Sequence, residues 1–217
     1  MNTEKIKVDV ISDVACPWCY VGKRRLESAL EQWKGAPVEV KWHPFQLDPS
    51  MRGEGMNRDT YLTNKFGSID RVQEMTDRLT EVGKTVGIDF DFGENWLAVN
   101  TLHLHQLLHV AREEGFGIEM KERFLSAYFV ETKHLNKPET LYSIANDFGW
   151  DSEKVDAIIN DETIAAKVKA EIVHYQQRGV SGVPFFVIND QYGISGAQPV
   201  ETFLQAFQTV SEEAQTK

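Results

Sequence analysis

The stretch Lys5-Ile6-Lys7-Val8-Asp9-Val10-Ile11-Ser12-Asp13-Val14-Ala15-Cys16-Pro17-Trp18-Cys19-Tyr20-Val21-Gly22 changes its period midway. Ile6, Val8 and Val10 alternate with Lys5, Lys7 and Asp9, the two-residue repeat of a strand. From Pro17 onward, Tyr20, Arg24, Leu26, Leu30 and Trp33 suit a helix instead, and Gly35-Ala36-Pro37 stops it. Val38, Val40 and Trp42 alternate again and end near Phe45. A strand, a helix and a strand in this order predict a parallel pair with a right-handed crossover.

Working outward, residues 47–57 read as a loop, with Pro49, Gly53 and Gly55. Helical patterns then cover about 58–66, 69–86, 98–114, 117–131, 138–148, 151–160 and 162–178, punctuated by Gly87, Gly93, Gly115, Pro138 and Gly149. Strand character returns at Pro184-Phe185-Phe186-Val187-Ile188. A turn at Asn189-Asp190-Gln191, a short strand near Tyr192–Ser195 and a last helix to about residue 210 follow, with a frayed tail from Ser211. The order is β-α-β, a helical block, then β-β-α. The two outer parts share one mixed sheet if the helical block is an insertion between them.

The 217 residues carry a net charge of -10, with 41% hydrophobic and 26% charged side chains. An acidic surface repels nucleic acid and anionic membranes, so neither is an expected partner. No segment approaches the roughly 20 apolar residues that span a bilayer. The start, Met1-Asn2-Thr3-Glu4-Lys5-Ile6-Lys7, lacks an apolar signal core and points to the cytoplasm.

There are only two cysteines, three positions apart. A strand precedes Cys16 and a helix follows it. A helix N-terminus offers free N–H groups and a positive dipole end, and both favour a thiolate over a thiol. A free cysteine titrates near 8.5, and a Cys-x-x-Cys at a helix start can lie lower. Cys16, at the exposed start of the turn, is therefore the expected nucleophile, and the more buried Cys19 would resolve the mixed disulfide. Pro17 sits where its missing N–H costs nothing. Two thiols supply only half of a structural zinc site, so redox chemistry outranks a metal. A second feature is Gly182-Val183-Pro184 before an apolar strand. A proline here marks a turn or strand start. Val183–Pro184 is either an ordinary trans turn or a cis bond, and a cis bond beside the dithiol would offer the Val183 backbone to a substrate chain.

Several segments resemble the DsbA-like thioredoxin-fold oxidoreductases, in particular their FrnE-like branch. These are Ser12 to Gly22, Trp42-His43-Pro44-Phe45-Gln46-Leu47, Val99-Asn100-Thr101 with His105, and Gly182-Val183-Pro184-Phe185-Phe186. The branch is related to 2-hydroxychromene-2-carboxylate isomerases and kappa-class glutathione transferases, which typically have serine where Cys16 stands. The resemblance implies an α/β thioredoxin-like fold from residues 1–57 and 179–217 with an all-helical insertion over 58–178. It also implies a nucleophilic first cysteine and a cis-proline loop at Pro184. Asn100 and His105 match its pattern on the insertion and would face the dithiol across a cleft that could hold a ligand.

Other residues have two readings. Asp13 either tunes proton transfer at Cys19 and caps the helix, or simply ends the strand. Trp18 either lines the substrate face or packs. His105 and His109 share a helix face with His103 nearby, but a zinc site needs a further ligand, so solvated or core-edge histidines are expected. Lys121–Tyr128, with Phe124, Leu125 and Tyr128, reads as a core stripe.

The expected activity is thiol–disulfide exchange, with Cys16 and Cys19 catalytic, Pro17, Trp18, Val183, Pro184, Asn100 and His105 contacting substrate, and Asp13 tuning. No metal or organic cofactor is implied; the dithiol is the redox centre, and glutathione is a candidate co-substrate. Partners would be thiol or disulfide substrates, and a homodimer is compatible. The rival is a glutathione-dependent isomerase or transferase acting on a small aromatic or polyketide-like molecule.

Overall fold

Strand β1 (Ile6–Ser12) is the hub of the sheet. It pairs in parallel with β2 (Val38–Pro44), Val8 opposite Val40, and antiparallel with β5 (Phe185–Ile188), Val10 opposite Phe186. β5 pairs antiparallel with β6 (Tyr192–Ser195), giving the order β2-β1-β5-β6. This computed structural model describes residues 5–93 and 96–215. Ile6, Val8 and Val10 of β1 are buried and alternate with exposed Lys7 and half-buried Asp9, and only the C-terminal end of the strand is buried on both faces. Accordingly Val10 and Ile11, which point to opposite faces, are both fully buried. On one face Ile6, Val8 and Val10 meet Phe186 and Ile188 under two helices, α1 (Pro17–Gln32) and α9 (Val200–Gln215), through Leu26, Phe203 and Phe207. On the other face Ile11 meets Phe45, Tyr175 and Val180.

The segment between β2 and β5 contains α2 (Arg58–Phe66), α3 (Ile69–Thr85), α4 (Leu102–Glu113), α5 (Gly117–Phe129), α6 (Pro138–Asn146), α7 (Ser152–Ile159) and α8 (Glu162–Gln177). The fold is thus the expected thioredoxin-like sheet with a helical block between its second and third strands in chain order. Most expected helix boundaries fall within two residues of the observed ones. One does not: the helix expected from residue 98 starts at Leu102. Leu97–Ala98 instead forms a strand, β4, paired with β3 (Met56–Asn57). Asn100 Oδ1 accepts the Leu102 N–H at 2.9 Å, a local bond that competes with the helical ladder and delays it. A second departure is at the C-terminus. The tail expected to fray from Ser211 stays helical to Gln215, with Val210 buried against the sheet and Tyr192 donating its hydroxyl proton to Glu213. Thr216 and Lys217 lie outside the described residues, as do Met1–Glu4 of the expected polar start.

Two devices seat the sheet against its helices. Gly22 lets α1 come close to the strand start: a Cβ there would lie 3.0 Å from Cγ of Pro184 and 3.1 Å from Cζ of Phe186. His43 on β2 bridges Asp9 of β1 (Nε2–Oδ1 2.7 Å) and Glu171 of α8 (Nδ1–Oε1 2.6 Å). Arg112 of α4 also reaches Glu171, at 3.0 Å, and the Trp42 carbonyl at 2.9 Å. Burial pushes the His43 pKa down, but its bonds to Asp9 and Glu171 outweigh this and hold it above 6.5. Burial pushes Glu171 up, but bonds from His43 and Arg112 outweigh that and hold it at about 2.

The signs follow from linkage. The raised His43 value contributes stability that is present below pH 6.5 and lost as pH rises through the folded value. The depressed Glu171 value contributes stability that is present above pH 4.5 and lost as pH falls toward 2. Urea midpoints should therefore decline from pH 6 to pH 9, and His43→Gln should flatten that decline. An equal slope in the variant would show that the bridge does not contribute.

Candidate active site

β1 ends at Ser12, and a tight turn over Asp13–Ala15 delivers Cys16 to the start of α1. Cys16 is the N-cap, in extended conformation at φ −103° and ψ 108°, with Pro17 opening the helix. The Cys16 N–H donates to the Asp13 carbonyl at 3.3 Å, and the Cys19 N–H to the Cys16 carbonyl at 3.0 Å. Both thiols are free, and Cys16 Sγ donates to the Val183 carbonyl at 3.5 Å. The Val183–Pro184 bond is cis. The turn and the proline loop, 167 residues apart, thus meet at the first cysteine, with Gly22 beneath Pro184.

Cys16 is not as exposed as expected. It is 4% exposed, and Cys19 is fully buried. Cys16 still forms part of the wall of a cavity of about 230 Å³, together with Pro17, Trp18 and Asp13. Apolar side chains make most of its remaining surface: Met51, Tyr61, Leu62 and Phe66 on one side, Met75 and Leu79 from α3, and Phe92, Trp96 and Phe129 at the back. The helical block therefore covers the nucleophile, which is 4% exposed, and leaves a small-molecule-sized space before it.

The two thiols are electrostatically unequal. Burial, a hydrogen bond to Cys16 and the Cys16 charge push the Cys19 thiol well above its ordinary value. The charge of Lys121 on α5 opposes this rise. Lys121 is 3% exposed, and its ammonium lies 5.2 Å from the centre of the Trp42 ring. Burial lowers its own pKa to about 8, against the charges of Cys19, Asp13 and Cys16. Lys121 was concealed in the sequence by the apolar stripe it shares with Phe124, Leu125 and Tyr128, all fully or almost fully buried. A lysine in register with such a stripe is the one sign of it.

Asp13 does more than end a strand. Its carboxylate accepts the Leu47 N–H at 2.8 Å through Oδ2, while Oδ1 faces His105 Nε2 at 3.1 Å and the Ala15 N–H at 3.4 Å. Burial pushes this carboxyl up, but the bonds from His105 and the Leu47 N–H outweigh it and keep the carboxyl low. The structure places His105 behind this carboxylate, not across the cleft: it is 3% exposed and also donates to the Phe45 carbonyl at 2.8 Å. Asn100 likewise sits away from the thiols. Its Nδ2 donates to the Met51 carbonyl at 2.9 Å, and its Oδ1 accepts from Gln46 at 3.1 Å. Neither residue lines the Cys16 cavity. The structure does not place Asn100 and His105 at the cleft: the Met51 carbonyl, the Gln46 amide and the Leu102 N–H engage Asn100, and Asp13 and the Phe45 carbonyl engage His105. His103 is exposed and His109 packs beside Arg112, 3.2 Å away. Among the described residues, no group of three or more His, Cys, Asp or Glu side chains is placed to hold a metal. Among them too, no helix is long and apolar enough to cross a membrane.

A Cys-x-x-Cys on a helix start, facing a cis-proline loop with helices folded over it, defines a class, and the comparisons agree. The chain belongs to the family described as the DSBA-like thioredoxin domain, whose model matches residues 7–208. It is 27% identical over 213 residues to the uncharacterized protein YwbO of Bacillus subtilis, covering 98% of this chain and 99% of that one. It is similar to the crystal structure of a probable DsbA oxidoreductase, SCO1869, from Streptomyces coelicolor: 36% identity, TM-score 0.88, covering 94% and 89% of the two chains. A 2-hydroxychromene-2-carboxylate isomerase shares the fold at 14% identity and TM-score 0.71, covering 97% and 99%.

Two variants test this electrostatic arrangement. Asp13→Ala should destabilise the protein by about 1–3 kcal/mol for each buried donor it orphans, read by chemical denaturation; a change below about 0.5 kcal/mol would mean the carboxylate is dispensable. Lys121→Met removes the cation that favours the Cys19 thiolate. The pH profile of the step in which Cys19 attacks should then move to higher pH, as followed by quenched-flow trapping of the mixed disulfide. An unmoved profile would remove Lys121 from the site.

Proposed function

We propose that the protein is a thiol–disulfide oxidoreductase working through Cys16 and Cys19. The observation that carries this reading is the inequality of the two thiols: Cys16 caps a helix and opens on the cavity, whereas Cys19 is fully buried with its pKa pushed up. A pair so arranged has a built-in order of reaction. The Cys16 thiolate attacks one sulfur of a substrate disulfide, the substrate S–S bond breaks, and one substrate thiolate leaves and takes up a proton. Cys19 then gives up its proton and attacks Cys16 Sγ. The mixed disulfide breaks, the second substrate thiolate leaves, and the protein holds a Cys16–Cys19 disulfide. Two electrons pass from the dithiol to the substrate, and the reverse sequence oxidises a substrate dithiol. The Lys121 charge favours the Cys19 thiolate at the second attack. The Val183 carbonyl, already in contact with Cys16 Sγ, lies where a substrate chain would run. Glutathione, as a small disulfide or thiol, is a co-substrate of the right chemistry.

A second reading has one observation in its favour. The cavity before Cys16 is apolar and of about 230 Å³, a size suited to a small molecule held for isomerisation or glutathione transfer. The two readings separate on the cysteines. Cys16→Ser should abolish reduction of a model disulfide, and Cys19→Ser should accumulate a Cys16 mixed disulfide seen by mass spectrometry. Retained disulfide exchange in Cys16→Ser would overturn the first reading. Turnover of a small aromatic substrate by the double Cys16→Ser, Cys19→Ser protein with glutathione would establish the second.

A further inference from the structure

Helix α2 turns its inward face to the cavity instead of to a core. Arg58, Tyr61, Leu62, Lys65 and Phe66 follow the i, i+3, i+4, i+7, i+8 spacing of one helical stripe, and all five line the cavity that contains Cys16. A stripe of this kind ordinarily seats a surface helix on the elements beneath it. Of the nine residues of α2 only Arg58 is buried, while Tyr61, Leu62 and Phe66 stay half-buried. Helix α3 lines the same space with Val72, Met75, Thr76 and Leu79, again at i, i+3, i+4 and i+7. Two successive helices thus give one face each to the space that Cys16 adjoins. The polar groups on these walls are engaged within the protein. Arg58 is paired with Asp59 at 2.8 Å, the Thr76 hydroxyl donates to the Val72 carbonyl at 2.8 Å, and the Tyr128 hydroxyl donates to the Leu97 carbonyl at 2.7 Å. What a molecule in the cavity meets is therefore mainly hydrocarbon, the thioethers of Met51 and Met75, and ring faces.

We infer that α2 and α3 form a substrate-selecting wall, and that the molecule they select is a small thiol or disulfide with an apolar, aliphatic or aryl body. The inference rests on the disulfide-exchange reading and names its substrate class. Cys16 is 4% exposed and lies in the wall of the cavity, so a substrate that reaches its sulfur occupies this space. At about 230 Å³ the space suits a single small ring system and not a polypeptide chain. A body rich in polar groups would give up its water there and meet walls whose own polar groups are engaged, whereas an apolar body gains by leaving water. Leu62 and Phe66 are then specificity-determining: their side chains set how far the body attached to the reacting sulfur can extend.

The test uses two mixed disulfides with the same leaving group, benzyl 2-pyridyl disulfide and the 2-pyridyl disulfide of a short cysteine peptide, with the reduced protein in stopped flow. The Cys16 thiolate attacks the sulfur that bears the benzyl or peptide group, its bond to the pyridyl sulfur breaks, and coloured pyridine-2-thione leaves. Each rate constant is divided by that of 2-mercaptoethanol with the same reagent, which removes the intrinsic reactivity of the two disulfides. Wild type should then prefer the benzyl reagent by about tenfold or more. Phe66→Ala, which opens the wall to the larger reagent, should lower that preference by about threefold or more, and so should Leu62→Trp, which fills the space and slows the benzyl reagent. A variant that does not fold, as judged by circular dichroism, drops out, and the wild-type preference still decides. Equal corrected rates in wild type, or a preference unchanged in the folded variants, overturn this inference and leave disulfide exchange standing. If wild type releases thione from neither reagent faster than Cys16→Ser does, the exchange reading and this inference fall together.

Discussion

One buried carboxylate joins the parts of this molecule that must meet for the dithiol to exist as a site. Asp13 takes the Leu47 N–H from the loop after β2 and the His105 ring from α4, while its own carbonyl receives the Cys16 N–H. The end of the central strand, the loop beyond its parallel neighbour and the helical block are thus tied at one point, three residues from the first cysteine. A buried charge is tolerated only when its lone pairs are filled, so the donors on Leu47, His105 and Ala15 that face the carboxylate are a condition for the turn and not an ornament of it.

Strand and helix periods made the backbone plan readable. Ile6–Val10, the switch at Pro17 and the apolar run from Phe185 fixed the sheet and its crossover, and the spacing of Cys16 and Cys19 marked the centre. Local signals sufficed because each of these features is written within a few neighbouring residues. Contacts between distant segments were not legible in the same way. Asp13 lies 92 residues from His105, so no local pattern could say that the histidine would turn to the carboxylate instead of to the cleft. Asn100 looked like a ligand-facing amide and proved to be a clamp on the loop at Met51. Lys121 was absorbed into a stripe whose other members are core.

The same geometry explains why the two cysteines differ although they lie one helical turn apart. Cys16 stands at the helix end and touches the cavity, while Cys19 points into the protein, where desolvation holds its proton. The difference comes from the helix passing from cavity edge to core within a single turn, with Val21, two residues beyond Cys19, also fully buried. Lys121 of α5 is buried at the same depth, and its charge opposes the rise at Cys19.

Helix α1 has a second attachment besides its sheet. Lys23, 2% exposed, holds Glu122 of α5 at 2.7 Å, and Tyr20 donates to the same carboxylate at 2.7 Å. Val14, Tyr20 and Val21 pack with the core of the helical block, while Leu26 and Ala29 pack with the core under the sheet. One helix is therefore a shared member of both cores, and the dithiol rides on its first turn. Mechanically this removes the hinge that a two-part molecule would otherwise have at its active centre. A change in the state of the sulfurs cannot be relieved by swinging the helical block away from the sheet. It would be met first by the immediate contacts of the sulfurs, the Asp13–Cys19 turn and the facing Val183–Pro184 loop.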